Sequence, residues 1–326
     1  MHIPDGYLSP KTCAFFYALM LPVWYFASRK VEKRLKLTEI PLLALGAAFT
    51  FVIMMLNIPI PGGSTGHMAG AVIVAIALGP WAGLIALTIA LALQAFIFAD
   101  GGITTLGANA FNMALVMSFT GYYAYSAFAP YSAGRARRAL AAAFAAYTAV
   151  NLAALAAAFE LGIQPIIAQG PDGRPLYAPY PLSIAIPAMM LPHLVFFGPV
   201  EALGTALIIS YIYKTDEGLI KREEGIRPLW AFLILLIILT PLGLIASGTP
   251  WGEWGKSEIL GLIGYVPSGM DGLRDLWKGV LPGYNLPGGG QGIMGAGSAL
   301  FYILSAAIGS GAIVIIIYLW GKLWPK

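Results

Sequence analysis

The sequence predicts an all-α integral membrane protein of about nine transmembrane helices, and three observations carry that expectation. Of its 326 residues 59% are hydrophobic and 10% charged, with a mean hydropathy of +0.78, whereas a soluble domain carries roughly 25% charge. Apolar stretches close to the ~20 residues that span a bilayer run 12–28, 40–56, 68–81, 82–99, 109–130, 138–162, 184–213, 228–247 and 299–320. Basic residues collect in alternate connections between these stretches, the pattern that sets topology in multi-pass proteins.

The first stretch has a signal peptide as its rival, which needs positive charge before the apolar run and small residues after it. Here Asp5 precedes the run and Arg29-Lys30 follow it, so a retained helix is expected. Met1 is expected to stay, because His2 is too large to favour methionine removal. The third and fourth stretches are short and meet at Leu78-Gly79-Pro80-Trp81, which suits a bent hairpin. The sixth is alanine-rich and allows close backbone approach, either inside the core or against a coupling subunit. Pro187, Pro192 and Pro199 predict kinks in the seventh.

A charged segment, 214–227, divides the chain once. Beyond it, two helices bracket a loop from about Ser247 to Gly297, rich in Gly, Pro and Trp, with a flexible Pro287-Gly288-Gly289-Gly290 tail. Long loops of this kind are functional or disordered, and Ile259-Leu260 with Leu273, Leu276 and Trp277 predict partial order. No tandem repeat of 20–50 residues occurs.

With the N-terminus outside, 14 of the 19 basic residues lie on the inner side, among them Arg29, Lys30, Arg135, Arg137, Arg138, Lys214, Lys221 and Arg222. Lys11, Arg174, Lys256, Arg274 and Lys278 stay outside. The net charge of +4 therefore speaks of topology, not of nucleic acid. The lone Cys13 excludes an internal disulfide and a cysteine metal cluster.

The chemistry concentrates at Met1-His2-Ile3-Pro4-Asp5-Gly6. The Met1 amine, the His2 amide nitrogen and an imidazole nitrogen of His2 can close two fused rings around one metal ion. A fourth donor would complete the tetragonal site that Ni(II) or Cu(II) prefers. Only two other histidines exist: His67, in a glycine-rich stretch at the mouth of an apolar segment, and His193.

These residues resemble the M component (CbiM/NikM) of the energy-coupling-factor nickel/cobalt transporters, along the whole chain. MHIPDGYLSP is similar to that family's N-terminal signature, Gly66–Ala114 to its central region, and PHLVFFGPVEALGTALI to its helix-seven block. The C-terminal part resembles the small N component, fused here in one chain, although Gly269-Met270-Asp271-Gly272-Leu273-Arg274-Asp275 departs from the usual Pro-Asp-Gly-Leu-Glu run.

The resemblance implies a seven-helix metal-binding core over 1–225 and a two-helix module over 226–326. It implies the substrate-binding subunit of an ATP-driven importer in a prokaryotic cell membrane, N-terminus extracytoplasmic and C-terminus cytoplasmic. Ni2+ or Co2+ would be cargo, held by Met1, His2 and His67, with no cofactor. Partners would be a transmembrane coupling subunit, cytoplasmic ATPase subunits and membrane lipid. The chain itself contains no Gly-x-x-x-x-Gly-Lys-[Ser/Thr] phosphate loop, so no enzymatic activity of its own is expected. A planar four-nitrogen site leans towards Ni(II), although affinity order alone favours copper.

Asp100, Asn109 and Asn112 are candidates to hydrogen-bond a ligating imidazole and fix its tautomer; the alternative is loop and helix capping. His193 and Glu201, two helical turns apart, are intramembrane ionisable residues, for which function is the default hypothesis and a structural pair the alternative. Glu160 is expected at the interface. Two rival classes remain. An ion-coupled secondary transporter would show midplane charge and inverted repeats, and a haem enzyme would need paired axial histidines, for which only His67 with His193 offers.

Overall fold

The computed structural model describes all residues except 62, 131–132, 215–225, 247, 275, 285–295 and 325–326. Most of the charged connection, the glycine tail at 287–290 and Asp275 thus lie outside the described residues. The described chain is helical apart from one small antiparallel hairpin, β1 (Ile58–Pro59) with β2 (Thr65–Gly66).

The chain opens with an extended segment, residues 1–9, that folds back into the protein and buries Ile3, Tyr7 and Leu8. Helix α1 (Pro10–Arg34) starts where Ser9 Oγ accepts the Thr12 N–H and Pro10 fills the first turn, which needs no N–H. Helix α2 (Ile40–Met54) leads to the hairpin and a loop of residues 67–70. Helices α3 (Ala71–Leu78) and α4 (Pro80–Leu93) pack on each other about Gly79, whose φ of +94° breaks the helix before Pro80.

Three π-helical turns interrupt the helices beyond α3: Gln94–Phe98 after α4, Ala110–Val116 between α5 (Leu106–Asn109) and α6 (Met117–Phe128), and His193–Phe197 between α9 (Leu182–Pro192) and α10 (Gly198–Ile212). Single π-turns recur at functional positions. The last one replaces a simple proline kink in the seventh predicted stretch, with Pro192 and Pro199 at its flanks.

Between the second and third of these turns runs α7 (Arg135–Gly162), whose alanines face inward. Ala142, Ala145, Ala146, Ala149, Ala153 and Ala157 are fully buried, and α7 packs against α6, α9 and α10. Small residues let those backbones approach closely, so the alanine face serves the core. Its outer face presents Leu140, Phe144, Leu152 and Phe159. The short α8 (Gln164–Ile167) comes next.

The C-terminal part contributes α11 (Ile226–Leu239), a loop carrying α12 (Lys256–Ile263) and α13 (Ser268–Arg274), and α14 (Ala296–Lys322). Both α11 and α14 pack on α2. The described part of the loop is held by contacts with the rest of the chain. Val280 and Leu281 N–H both reach the Ile97 carbonyl, Met270 N–H reaches Leu176, and Trp277 Nε1 reaches Phe96.

Among the described residues six helices are long and apolar enough to cross a membrane: Leu37–Met54, Pro80–Phe98, Arg135–Ile167, Leu182–Ile212, Ile226–Ile245 and Gly297–Lys322. The chain is a multi-pass membrane protein. The other three expected stretches differ for local reasons. Helix α1 dilutes its apolar run with Tyr17, Pro22, Trp24 and Tyr25, α3 is only 8 residues long, and the run through α6 carries Asn109, Asn112 and several tyrosines.

Candidate metal centre

The N-terminal segment is held residue by residue. Asn109 grips Ile3 from both sides, accepting its N–H at 2.8 Å and donating to its carbonyl at 3.1 Å. Asp5 Oδ2 accepts the Ile103 N–H, and Asp5 Oδ1 accepts the Thr104 N–H at 2.7 Å. Gly6 has φ +86°, and a Cβ there would lie 2.7 Å from the Met270 carbonyl, so only glycine fits. Tyr7 donates to the Trp254 carbonyl, and the Ser9 N–H reaches Gln164 Oε1. The consequence is a buried His2, 4% exposed, beside a Met1 whose side chain is buried.

His2 Nδ1 lies 2.8 Å from Asp100 Oδ1, while His2 Nε2 is buried with no hydrogen-bond partner. A buried imidazole nitrogen without a partner is costly. Burial opposes the charge of Asp100, but His2, Tyr284 and His67 outweigh it and hold the carboxyl well below the usual carboxylate range. The Met1 amine faces Glu253 Oε1 at 3.6 Å. Burial pushes Glu253 up, against the opposing charge of the amine.

His67 follows β2 and enters from the other side, its ring 5.1 Å from that of His2 between centroids. Its Nδ1 meets the Met68 carbonyl at 3.0 Å. Burial, reinforced by the neighbouring His2 and amine charges, pushes the His67 imidazole down to about 3, so it is a neutral donor at physiological pH. Immediately after it, Glu201 accepts the N–H groups of Ala69 and Gly70, both at 2.9 Å. Glu201 is fully buried on α10 and anchors the loop that carries His67.

Met1, His67, Met189, His193, Phe197 and Trp251 line one small cavity. Its walls come from the N-terminus, the hairpin loop, α9 and the C-terminal loop.

The structure thus brings Met1, His2, His67 and Asp100 together, and Asn109 onto the main chain of Ile3. Asn112 goes elsewhere, donating to Glu160 Oε2 at 2.9 Å. Glu160 corrects its expected interfacial place: it is 4% exposed, because Asn112 supplies a partner inside the bundle. His193 and Glu201 do not pair, since His193 Nδ1 meets the Met189 carbonyl at 2.7 Å. Glu253 and Tyr284 had no sequence signal, as each reaches the site from more than 180 residues away. Among the described residues no group of three or more His, Cys, Asp or Glu side chains is arranged for a metal ion.

An apolar bundle of long helices with a small polar-lined cavity defines a multi-pass membrane protein. The CbiM family, described as a cobalt uptake substrate-specific transmembrane region, matches residues 2–219, and the chain belongs to it. It is a CbiM/NikM-type membrane component of a metal transporter with an extra C-terminal module. It is 45% identical over 337 residues to the fused nickel transport protein NikMN of Rhodobacter capsulatus, covering 96% of this chain and 95% of that one. The crystal structure of a truncated transition metal transporter is 49% identical, with a TM-score of 0.62, and spans 66% of this chain and 99% of its own. A cobalt transport protein CbiM of Kyrpidia tusciae is 43% identical over 122 residues, 36% of this chain and 48% of its own.

Proposed function

We propose that this chain is the substrate-binding subunit of an ATP-driven energy-coupling-factor importer for Ni2+ or Co2+. The metal is held by the Met1 amine, the His2 amide and imidazole nitrogens, and the His67 imidazole. The observation that carries this reading is that Met1 and His67 line one cavity, with the buried His2 next to Met1 in the chain and its ring 5.1 Å from that of His67. Side chains alone do not supply three ligands among the described residues, which favours a donor set that includes main-chain nitrogen. Four nitrogens suit a tetragonal ion. A nickel name on one relative and a cobalt name on another leave both ions in play.

Residues 1–225 form the metal-binding core and 226–326 an N-component-like module, with the N-terminus outside. The family match ending at 219 and the solved relative that spans 66% of this chain favour that division. Energy comes from separate ATPase subunits through a transmembrane coupling subunit, in keeping with the missing phosphate loop.

Two measurements test this. One residue placed before Met1 turns the amine into an amide and destroys the five-membered ring while keeping every side chain. Calorimetric titration should then show Ni2+ affinity reduced by more than about 100-fold, above the 10- to 100-fold typical of groups behind a ligand. Unchanged affinity sinks the amine–amide–imidazole site. Metal accumulation should require the coupling and ATPase subunits; full uptake by this chain alone would put an ion-coupled secondary transporter ahead.

A further inference from the structure

The His2 imidazole is oriented by a carboxylate that is itself oriented from the far end of the chain. Asp100 Oδ1 faces His2 Nδ1, and its other oxygen, Oδ2, accepts the Tyr284 hydroxyl. Gln94 Nε2 donates to the same hydroxyl at 3.1 Å and to Asp100 Oδ2 at 3.4 Å. Both carboxylate oxygens are thereby committed, and the group has a fixed aim.

Tyr284 is built to hold that position. It is 6% exposed, its ring stacks on Phe98 at 4.7 Å between centroids, and Tyr302 of α14 packs edge-on at 5.4 Å. Its carbonyl accepts Ser305 Oγ of α14 at 3.0 Å. Its φ of +64° lies in the left-handed region, which a bulky residue keeps only where its surroundings over-determine it.

The fused chelate uses His2 Nδ1, because only that nitrogen closes a six-membered ring with the amide nitrogen and the metal. In the structure Nδ1 is the atom turned to Asp100. A half-turn of the ring about Cβ–Cγ exchanges Nδ1 with Cδ2 and Nε2 with Cε1. It frees Nδ1 for the metal and brings Nε2–H to the side of the same carboxylate, the carboxylate–histidine–metal arrangement common behind ligating imidazoles. Asp100 therefore serves both orientations, provided it does not move.

We propose that Tyr284 is a positioning residue for metal loading: by holding Asp100 it sets the orientation of the His2 ring, and so ties the C-terminal module to the metal site. This rests on the N-terminal chelate. A purely structural role would make Tyr284 a plug between α4 and α14, and its hydroxyl would then be dispensable.

The test uses the full-length chain, with Ni2+ as the probe and three variants: Tyr284→Phe, Asp100→Asn and the double substitution. Tyr284→Phe keeps the ring, its stacking and its backbone, and removes only the hydroxyl. Asp100→Asn should weaken Ni2+ binding by about 10- to 100-fold and Tyr284→Phe by about 10-fold. The double variant should be no weaker than Asp100→Asn alone, because one group acts through the other. Histidine 15N spectra should show the His2 nitrogens changing roles on Ni2+ addition in the wild type, and a mixture of orientations in the metal-free Tyr284→Phe chain.

Wild-type affinity in Tyr284→Phe overturns the proposal. So does an additive double variant, or an affinity loss accompanied by an equal fall in melting temperature with unchanged histidine spectra. The underlying chelate fails separately, through the N-terminally extended chain. If that chain loses Ni2+ while Tyr284→Phe binds normally, only the role of Tyr284 falls.

Discussion

His2 and His67 present rings 5.1 Å apart, yet they are seated in opposite ways. The imidazole of His2 rests on a side chain, Asp100, and the main chain beside it is clamped by Asn109. The imidazole of His67 rests on its own main chain, at the Met68 carbonyl, and the following loop is pinned by Glu201 from inside the bundle. The His2 side thus leans on the C-terminal module, through Glu253 on the amine and Tyr284 on Asp100. The His67 loop is pinned by the core through Glu201, and the hairpin before it touches the module by a hydrogen bond, where Ser64 Oγ donates to the Thr249 carbonyl at 3.4 Å. The module reaches the groups next to the His2 ring and the amine, whereas on the other side it reaches the hairpin ahead of His67.

Removing the module is the hardest test of that asymmetry. Deleting residues 226–326 should leave a core that folds, and a solved truncated transporter spanning 66% of this chain favours that outcome. Transport should be abolished or greatly slowed. Ni2+ affinity should fall by about 10-fold or more, since both supports on the His2 side are lost. Uptake by the truncated chain at the full rate would mean that the His2 side does not depend on the module.

The nitrogen donors on both sides were legible in the sequence, and the groups that seat them only in part. The opening motif announced a chelator because its donors are adjacent, and adjacency is the one kind of proximity a sequence displays. His67 showed itself as a histidine in a glycine-rich stretch. Glu201 stood out as a carboxylate within an apolar run, but its partners, the N–H groups of Ala69 and Gly70, lie about 130 residues away. Asp100, Asn109 and Asn112 read alike as polar residues near one helix end. Only the π-turn at 110–116 and the neighbour Glu160 decide that Asn112 faces the bundle while Asn109 faces Ile3. Tyr284 was one tyrosine of 16, and its contact with Asp100 spans 184 residues. The helical class followed from composition, whereas helix lengths did not, because breaks such as Gly79 act through backbone conformation.

A smaller effect is expected on the His67 side. Glu201→Gln keeps one acceptor oxygen and turns an NH2 towards a main-chain N–H, so one of the two bonds is lost and a buried donor is stranded at a cost of about 1–3 kcal/mol. Ni2+ affinity should drop by about 10-fold, at the level of a group behind a ligand, and melting should come earlier. Glu201→Ala should be worse, since it strands both N–H groups. The loss should be the same in the full chain and in the chain truncated at 225, because the Glu201 carboxylate is bonded within the core. A Glu201→Ala chain that binds Ni2+ like the wild type would show that Glu201 does not anchor the His67 loop.

The smallest expected effect is on pH. An imidazole held at about 3 in the fold, against roughly 6.5 when unfolded, binds its proton more readily in the unfolded chain. Its contribution to stability is therefore complete above about pH 6.5 and is lost as the pH falls towards 3. Glutamine at position 67 carries no such proton, so His67→Gln should flatten the fall in melting temperature of the metal-free protein between pH 6.5 and 4. Ni2+ affinity should behave differently: it should rise with pH across the neutral range because the metal displaces protons from the Met1 amine and the His2 amide. His67 is already neutral there and should add nothing to that slope. Thermal melts of the two metal-free proteins over pH 4–7, beside Ni2+ titrations of the wild type over pH 6–8, separate the two. Melting curves of His67→Gln that track the wild type down to pH 4 would show that His67 is not held neutral by its seat.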